Sequence, residues 1–437
     1  MLRKLPIIVL IFSCFYADAQ QPITLNEAIE IATKNNLQVQ RGNLDMVSAD
    51  LDLKAAKLSS LPHVNFASTV YTNHGRSLDP TVYAYVEHPI TTSTSDIYSS
   101  FLLFQGFRKK NQVEINIDAV DLAKAQLENL KKHLAPRVIA AYLNIMSCDE
   151  RLSIGESHLR FDVEEIARED SLNKFGKSVL NNILALQAQL AKDSLTQIET
   201  RNRRQTSELE LSQLMNYNEN QYRLLPPDTS FTFALNLTDE NLKHAVSGNP
   251  EMKVTELKRQ IALKTVDLAK SERYPTISLI GVLATDFSSI PQYDPSSQRY
   301  VPRNFFFQTK FNFYQYFGLN VNVPIFNAVY NVNKIKKEKI NVDKAALEME
   351  MAKQDIEKTY KSVMLDVSSA KNQYVAVRKV REATKGQFEA AKLKFELGAE
   401  SGIDFDKSLM DFEQSEFQVV QAKYDMIFKE YILQYLF

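Results

Sequence analysis

The sequence predicts a mainly α-helical chain with a small β part, written as two copies of one unit. Three observations support this prediction. Proline is absent from residues 137–225 and 325–437, and both tracts are rich in the helix formers Ala, Glu, Lys, Gln and Leu. Short segments between the tracts alternate apolar and polar residues, as half-buried strands do. The order of segments then repeats along the chain.

The first residues predict export. Arg3 and Lys4 precede the apolar run 5–16, and Ala17 and Ala19 supply the small residues that a signal peptidase reads. The run is shorter than the roughly twenty residues that a membrane-spanning helix needs. We therefore expect a signal peptide at residues 1–19. A lipoprotein signal that acylates Cys14 and an ordinary buried segment are the alternatives.

Composition excludes several classes of protein. Cleavage after Ala19 leaves 50 basic and 52 acidic residues, a net charge of −2, with no basic stripe that would indicate a nucleic-acid partner. Only Cys148 remains, so neither an intrachain disulfide nor a cysteine metal cage can form. No later apolar stretch approaches twenty residues, so a membrane location would need something other than a helix.

Two repeats are expected, 20–216 and 233–437, joined by a linker at 217–232 that contains two adjacent prolines. The evidence is four pairs of matching positions, two separated by 213 residues and two by 222. These pairs are Asn36 with Asn249, Pro62 with Pro275, Phe104 with Phe326, and Gly176 with Gly398. The offset grows by nine between the pairs, which places a longer insert in the second copy.

Each repeat is expected to contain one β-hairpin, at about 62–105 and about 275–326. From Phe317 to Ile325 every odd position is apolar and every even one is Gly, Asn or Pro. The first copy alternates more weakly, with its returning strand near Ile97 to Phe104. Four strands of about ten residues, flanked by Tyr and Phe, suit a tilted crossing of a bilayer. A soluble sheet packed on helices is the alternative.

Four strands alone would leave unpaired edges in hydrocarbon, and barrel closure needs about eight strands or more. A membrane location therefore requires an oligomer. The helices are expected at 106–175 and 179–215 in the first copy, and at 327–397 and 404–435 in the second. A helix of about seventy residues is a rod of about 100 Å. Pro136 predicts a kink or a local break in the first rod.

Four segments resemble the TolC-type outer-membrane efflux family: LNEAIEIATKNN after the signal, the strand starts at Pro62 and Pro275, FGLNVNVPIFN, and FELGAESGIDF. The resemblance implies a homotrimer in outer-membrane lipid, in which twelve strands form one shared β-barrel above a coiled-coil barrel of helices in the periplasm. It also implies a periplasmic adaptor (membrane fusion) protein and an inner-membrane pump or ABC transporter as partners. The expected function is an exit duct for small-molecule efflux or for type I secretion.

The resemblance places the turns of the helical hairpins where the adaptor docks. The expected contact residues are Phe175, Gly176, Lys177, Ser178, Leu397, Gly398, Ala399, Glu400, Ser401 and Gly402. Glycine permits the backbone reversal at each turn, and Ser178 and Ser401 are positioned to cap the returning helices.

The resemblance also implies an acidic ring just inside this end. Asp404 matches one of its positions and Asp406 is a neighbouring candidate, although Lys407 stands where a second acid is expected. Glu400 replaces a basic residue of the family pattern, and Asn182 replaces an acid in the first copy. A solvated Asp favoured by the helix dipole is the alternative for Asp404.

No catalytic, cofactor-binding or metal-binding residues are predicted, and the chain is not expected to be an enzyme. The six His residues never fall at metal-ligand spacing on one helix, and no Gly-rich phosphate loop or nucleophile motif is found. The competing function is a periplasmic coiled-coil adaptor or scaffold, soluble or lipid-anchored. An adaptor, however, has no need of lipid-facing alternation on two hairpins.

Overall fold

The structure is a computed structural model that describes residues 21–176, 179–218, 222–227, 239–294, 296–327 and 329–436. The predicted signal peptide at 1–19, with the alternative acylation site Cys14, lies outside the described residues. So do Lys177 and Ser178 of the first predicted turn. Parts of the predicted linker, residues 219–221 and 228–232, are also outside them.

The same series of elements occurs in each half of the chain, with one added short helix, α7, in the second half. The first half contains β1 (Gln21–Ile23), α1 (Leu25–Asn35), α2 (Leu37–Leu58), β2 (His63–Asn73), β3 (Ser77–Leu78), β4 (Tyr85–Val86), β5 (Ile90–Gln105), α3 (Arg108–Lys174) and α4 (Leu180–Met215). The second half contains β6 (Tyr222–Leu224), α5 (Asp239–Ser247), α6 (Pro250–Ser271), β7 (Thr276–Ser288), β8 (Gln292–Asp294), β9 (Arg299–Val301), α7 (Phe305–Phe311), β10 (Tyr314–Asn322), α8 (Tyr330–Glu396) and α9 (Gly402–Leu436).

Corresponding helices in the two halves have nearly equal lengths. Helices α3 and α8 each contain 67 residues, and α2 and α6 each contain 22. Glycine or polar residues end the helices where the backbone must turn, and the tracts between these breaks are free of proline except at one place. The long helices therefore follow from the distribution of helix breakers in the sequence.

Helix α3 is continuous through Pro136, so of the two outcomes expected there, a kink or a local break, the break is wrong and the kink stays a prediction. Proline removes one backbone hydrogen bond from a helix and crowds the preceding turn. Its neighbours Ala135, Val138 and Ile139 are all buried in the main hydrophobic core. Packing of this buried stretch offsets the local cost of the proline, which the sequence alone could not indicate.

The first compact unit, called here the helical unit, comprises the described residues of Met1–Leu44, Gln126–Met252 and Lys353–Phe437. Its core is anchored at Tyr142, which is completely buried. The Tyr142 hydroxyl donates to the backbone carbonyls of Ile23 and Leu225, on either side of the parallel pair β1 and β6. A buried phenol needs such partners, and here they tie the chain start to the inter-repeat segment.

The second compact unit, called here the strand unit, comprises Asp45–Ala125 and the described residues of Lys253–Ala352. Its main sheet has the order β10-β7-β5-β2, and all neighbouring strands are antiparallel. Strand β5 begins at Ile90, seven residues before the predicted start, and pairs on both sides over most of its length. Within the described ranges, no helix is both long and apolar enough to cross a membrane.

Candidate functional site

The first candidate site is one face of the four-stranded sheet. Residues paired directly across antiparallel strands lie on the same face, so the register assigns every side chain to a face. One row contains Leu319 beside Leu279, and Leu279 beside Phe101. Two rows further along the same face, Leu283 of β7 pairs with Ile97 of β5, and Ile97 pairs in turn with Phe66 of β2. We call this surface the apolar face.

Large side chains of the apolar face are exposed in the single chain. Phe66 is 71% exposed, Phe317 73% and Leu319 61%, although such residues are usually buried in a soluble protein. Other exposed members of the same face are Val64, Val70, Ile97, Leu279 and Val321. This is a contiguous apolar surface rather than scattered single residues.

The opposite face carries mainly polar and small side chains. It includes Asn65 and Thr69 of β2, Asp96 of β5, and Gly318 and Asn320 of β10. The two faces therefore differ in polarity as the faces of a sheet do when one meets lipid and the other meets water. Strands β2 and β10 form the outer edges, and each pairs with one neighbour within the described part of the chain.

The second candidate site is the pair of turns that end the helical hairpins. After α8, Gly398 has φ +72°, its N–H donates to the Phe395 carbonyl, and the Ala399 N–H donates to the Lys394 carbonyl. These two bonds form a Schellman motif, in which the left-handed residue is most readily glycine. After α3, Gly176 is likewise left-handed at φ +69°.

Apolar side chains at both turns point into solvent. Phe175 is 80% exposed and Leu397 is 75% exposed. The two turns also approach each other, because a Cβ atom added to Gly402 would lie 2.6 Å from Oδ1 of Asn182. Gly402 of the second turn therefore lies beside Asn182 at the start of the helix that follows the first turn.

The start of α9 shows what the predicted gate residues contact. The Asp404 N–H donates to Oγ of Ser401 at 3.2 Å, and the Ser401 hydroxyl donates to Oδ2 of Asp404 at 2.6 Å. Ser401 therefore caps the helix, as its position indicated, and Asp404 is exposed at the cap. Glu400 forms an ion pair with Lys394 across the turn, at 3.4 Å.

Asp406 has a different environment from Asp404. It is half-buried, and burial together with the negative charge of Glu169 raises its pKa to about 6. Glu169, on α3, is only 2% exposed. The two predicted gate acids therefore do not share one surface, since Asp404 faces solvent and Asp406 faces the acids of the helix interior.

A group of stacked aromatic rings holds the end of the α8–α9 hairpin. Phe405 is 1% exposed, and its ring stacks on Phe395 with centroids 4.7 Å apart. Phe388 stacks in turn on Phe412 at 5.5 Å and lies 6.0 Å from Phe405. This packing fixes the position of the turn residues, which lie immediately outside it.

Sequence reasoning missed a third feature, a buried group of acids on three helices of the helical unit. Asp162 on α3, Asp193 on α4 and Glu413 on α9 each place a carboxylate oxygen within 4.8 Å of the others. The three residues are far apart in sequence and none of them stands in a ligand motif. Only the packing of the helices brings them together.

Comparisons with known proteins agree with this architecture. Residues 241–433 match the outer membrane efflux protein family. The chain is 20% identical over 418 residues to the outer membrane efflux protein BepC of Brucella suis biovar 1 (strain 1330), covering 94% of this chain and 84% of BepC.

Two solved structures have the same fold. A membrane protein from Pseudomonas aeruginosa superposes with a TM-score of 0.78 at 15% identity, covering 94% of this chain and 93% of that one. The CmeC outer membrane channel of Campylobacter jejuni superposes with a TM-score of 0.79 at 14% identity, covering 94% and 85%.

Proposed function

Because the chain is a TolC-type outer-membrane efflux protein, we propose that it forms the exit duct of an efflux system as one subunit of a homotrimer. The observation that carries this proposal is the apolar face of the sheet together with its open edges. Such a face is unfavourable in water and favourable in lipid. The polar opposite face then lines the water-filled interior of the duct.

The edges support assembly from several chains. In hydrocarbon, every backbone N–H and C=O must be paired, so β2 and β10 need partners from other copies. Pairing β10 of one chain with β2 of the next closes the sheet. Three chains supply twelve strands from the four in each sheet, which exceeds the number of about eight that closure requires.

The helices extend the duct away from the membrane into the periplasm, and the turns at its end are proposed as the docking surface. Exposed Phe175 and Leu397 offer apolar contacts next to the left-handed glycines Gly176 and Gly398. The proposed partner is a periplasmic adaptor that links the duct to an inner-membrane pump. Lys177, Ser178, Ala399, Glu400, Ser401 and Gly402 complete the proposed surface.

Asp404 is proposed as the acidic ring at the entrance. Its exposed carboxylate is repeated three times around a trimer axis, which concentrates cations there and opposes anions. Asp406, the other candidate, is proposed to lie behind this ring, because it is half-buried beside Glu169. Efflux is favoured over protein secretion because BepC is described as an efflux protein.

The native mass of detergent-extracted protein from outer membranes tests the proposal. A particle of three chains that resists alkaline carbonate extraction is expected. A monomer that washes off with carbonate would contradict the membrane proposal and favour the periplasmic scaffold. Disulfide crosslinking of cysteines introduced in β2 and β10 is a direct check on the edges, because the sole mature cysteine, Cys148, is buried.

A further inference from the structure

We propose that Asp162, Asp193 and Glu413, together with Nδ1 of His158, form a binding site for one divalent transition-metal ion of the Mn²⁺ to Zn²⁺ type. The site joins helices α3 and α4 of the first half to α9 of the second. All four residues belong to the helical unit. The proposal is independent of the duct function.

The three acids are arranged as ligands rather than as a solvated surface. Asp162 is completely buried and Glu413 is 4% exposed, while Asp193 is half-buried. One oxygen from each lies within 4.8 Å of the other two. Oxygens that bind a tetrahedral Zn²⁺ at roughly 2.0–2.2 Å lie about 3.4 Å apart, so side-chain movements of up to about 1.4 Å complete the set.

Several buried atoms of this group lack hydrogen-bond partners within the described structure. No donor reaches either carboxylate oxygen of Asp162, apart from a proton that it can share with Asp193, and none reaches Oε1 of Glu413. The other Glu413 oxygen accepts from Nε2 of Gln189 at 3.0 Å, and the same nitrogen donates to Oδ2 of Asp193 at 3.0 Å. Gln189 therefore orients two of the acids and leaves one oxygen of Glu413 free for a ligand.

His158 supplies an observation of a different kind. Its Nε2 lies 3.0 Å from Oε2 of Glu416, and Arg381 donates to Oε1 of the same carboxylate at 2.7 Å and 3.2 Å. An arginine that donates twice to one carboxylate pairs with its ionised form. An ionised Glu416 only accepts, so Nε2 of His158 carries the proton.

In the neutral imidazole, the other ring nitrogen of His158 is an acceptor, and this is the form that binds a metal ion. Nδ1 is buried, has no hydrogen-bond partner within the described residues, and lies 3.7 Å from the unpartnered Oε1 of Glu413. The residue as a whole is 8% exposed. Two acceptors that face each other cannot satisfy one another, whereas a cation between them satisfies both. A histidine anchored on a carboxylate through one nitrogen is the usual arrangement of a metal-binding imidazole.

The charges around the site attract a cation. The negative charges of Asp406 and Glu416 act on the acid group. Arg151 lines one cavity with His158 and Asp193, and Arg381 is engaged by Glu416. Burial and the charge of Asp193 raise the pKa of Asp162 to about 7, and burial with the charges of Asp193 and Asp162 raises that of Glu413 to about 8. A divalent ion offsets the same repulsion without requiring these acids to hold protons.

The mixed ligand set indicates which class of ion fits. Carboxylates alone suit Mg²⁺ and Ca²⁺, whereas an imidazole shifts preference toward first-row transition metals. The burial of the group in a single chain means that assembly into an oligomer cannot expose it. The bound ion would therefore act as a crosslink between the two halves of one chain.

The test uses the full-length protein in detergent, stripped with a chelator and then dialysed at pH 8 against Zn²⁺, Mn²⁺ or Mg²⁺. We expect one Zn²⁺ or Mn²⁺ per chain by elemental analysis, weak retention of Mg²⁺, and a rise in Tm with Zn²⁺ concentration. Asp162→Asn should abolish both the bound ion and the Tm response. His158→Gln should weaken Zn²⁺ binding by at least about tenfold.

Glu150→Gln is the matched control, because Glu150 also links α3 to α9, through Lys423, but lies outside the acid group. It should retain the ion. Retention of Zn²⁺ by Asp162→Asn, or its loss from Glu150→Gln, would overturn the assignment. A wild-type protein that binds no ion and merely becomes less stable as pH rises would overturn it too, and would show that the acids share protons instead.

Discussion

The apolar face of the sheet makes a prediction that two neighbouring residues can test. Leu319 and Asn320 are consecutive residues of β10 and both are exposed in the single chain. Leu319 pairs with Leu279 on the apolar face, and Asn320 pairs with Ser278 on the polar face. Replacing each by lysine introduces the same charge on the same strand, but toward opposite sides of the sheet.

The magnitude follows from where Leu319 lies. It is the sixth of nine residues in β10. Its neighbours on the same face of this strand, Phe317 and Val321, are also apolar and exposed. A lysine that faces lipid near the bilayer midplane costs about 2–4 kcal/mol, falling to about 0–1 kcal/mol near the interfaces. Leu319→Lys should therefore cost about 2–4 kcal/mol per chain, which is roughly a 30- to 1,000-fold change in the folding equilibrium.

Asn320→Lys should change the free energy of unfolding by no more than about 0.5 kcal/mol, because its side chain meets water. The assay is the guanidinium midpoint of each variant in lipid vesicles, at equal protein and lipid concentrations. A second measurement is the amount of each variant that resists carbonate extraction from cells. Equal destabilisation by the two lysines, or a neutral Leu319→Lys, would refute the assignment of the apolar face to lipid.

Two further predictions concern the helical unit. Asp404→Ala should raise single-channel conductance for anions or relieve block by divalent cations. The control Ser401→Ala, which removes the helix cap but keeps the carboxylate, should leave the block unchanged. Unaltered currents in Asp404→Ala would exclude a gating role for Asp404. In metal-free protein, stability should fall as pH rises from about 5 to about 8. The raised pKa values of Asp162 and Glu413 mean that the folded state binds more protons than the unfolded one. The free energy of unfolding therefore falls by at most about 1.4 kcal/mol per pH unit for each such proton. Urea titrations between about pH 5 and about pH 8 should show a weaker pH dependence of the unfolding free energy in Asp162→Asn. An unchanged pH dependence would contradict the conclusion that these acids hold protons in the folded state.

The sequence predicted the long helices well because their ends depend on local chemistry. Glycine in the left-handed region ends α3 and α8, and the absence of proline lets each helix run between its ends. The exception, Pro136, lies in a stretch whose buried neighbours hold the helix together. Its effect depends on tertiary packing, and no local pattern around the proline contains that information.

The strands were predicted where one face is apolar and missed where it is not. The first half of β5 is rich in Ser and Thr, so its two faces do not differ in hydrophobicity and the residues show no apolar–polar alternation. Ile90 and Thr92 are nevertheless buried there, and strand β7 pairs alongside from Ser288 onward. Neighbouring strands on both sides, rather than a pattern within the segment, extend β5 back to Ile90.

The two candidate sites in the helical unit differ in how far the sequence could reveal them. Asp404 was identified through the family resemblance, which could be applied because Asp404 and Gly398 belong to one turn and its helix start. Asp162, Asp193 and Glu413 lie on three helices, and each alone resembles an ordinary acid on a solvated helix face. Their significance appears only when the packing removes them from water.

The apolar face and the buried acids are unfavourable for opposite reasons, and they need different remedies. The apolar face is exposed although its side chains favour burial, so only something outside the chain, lipid in this proposal, can cover it. The acids are buried although their charges favour water, and no added subunit can restore solvent to a group already enclosed within one chain. They need a proton or an ion in the interior. The imidazole of His158 is anchored on Glu416 through Nε2, and its Nδ1 faces the unpartnered Oε1 of Glu413. This arrangement favours a metal ion, because acids that only share protons with one another need no such ligand.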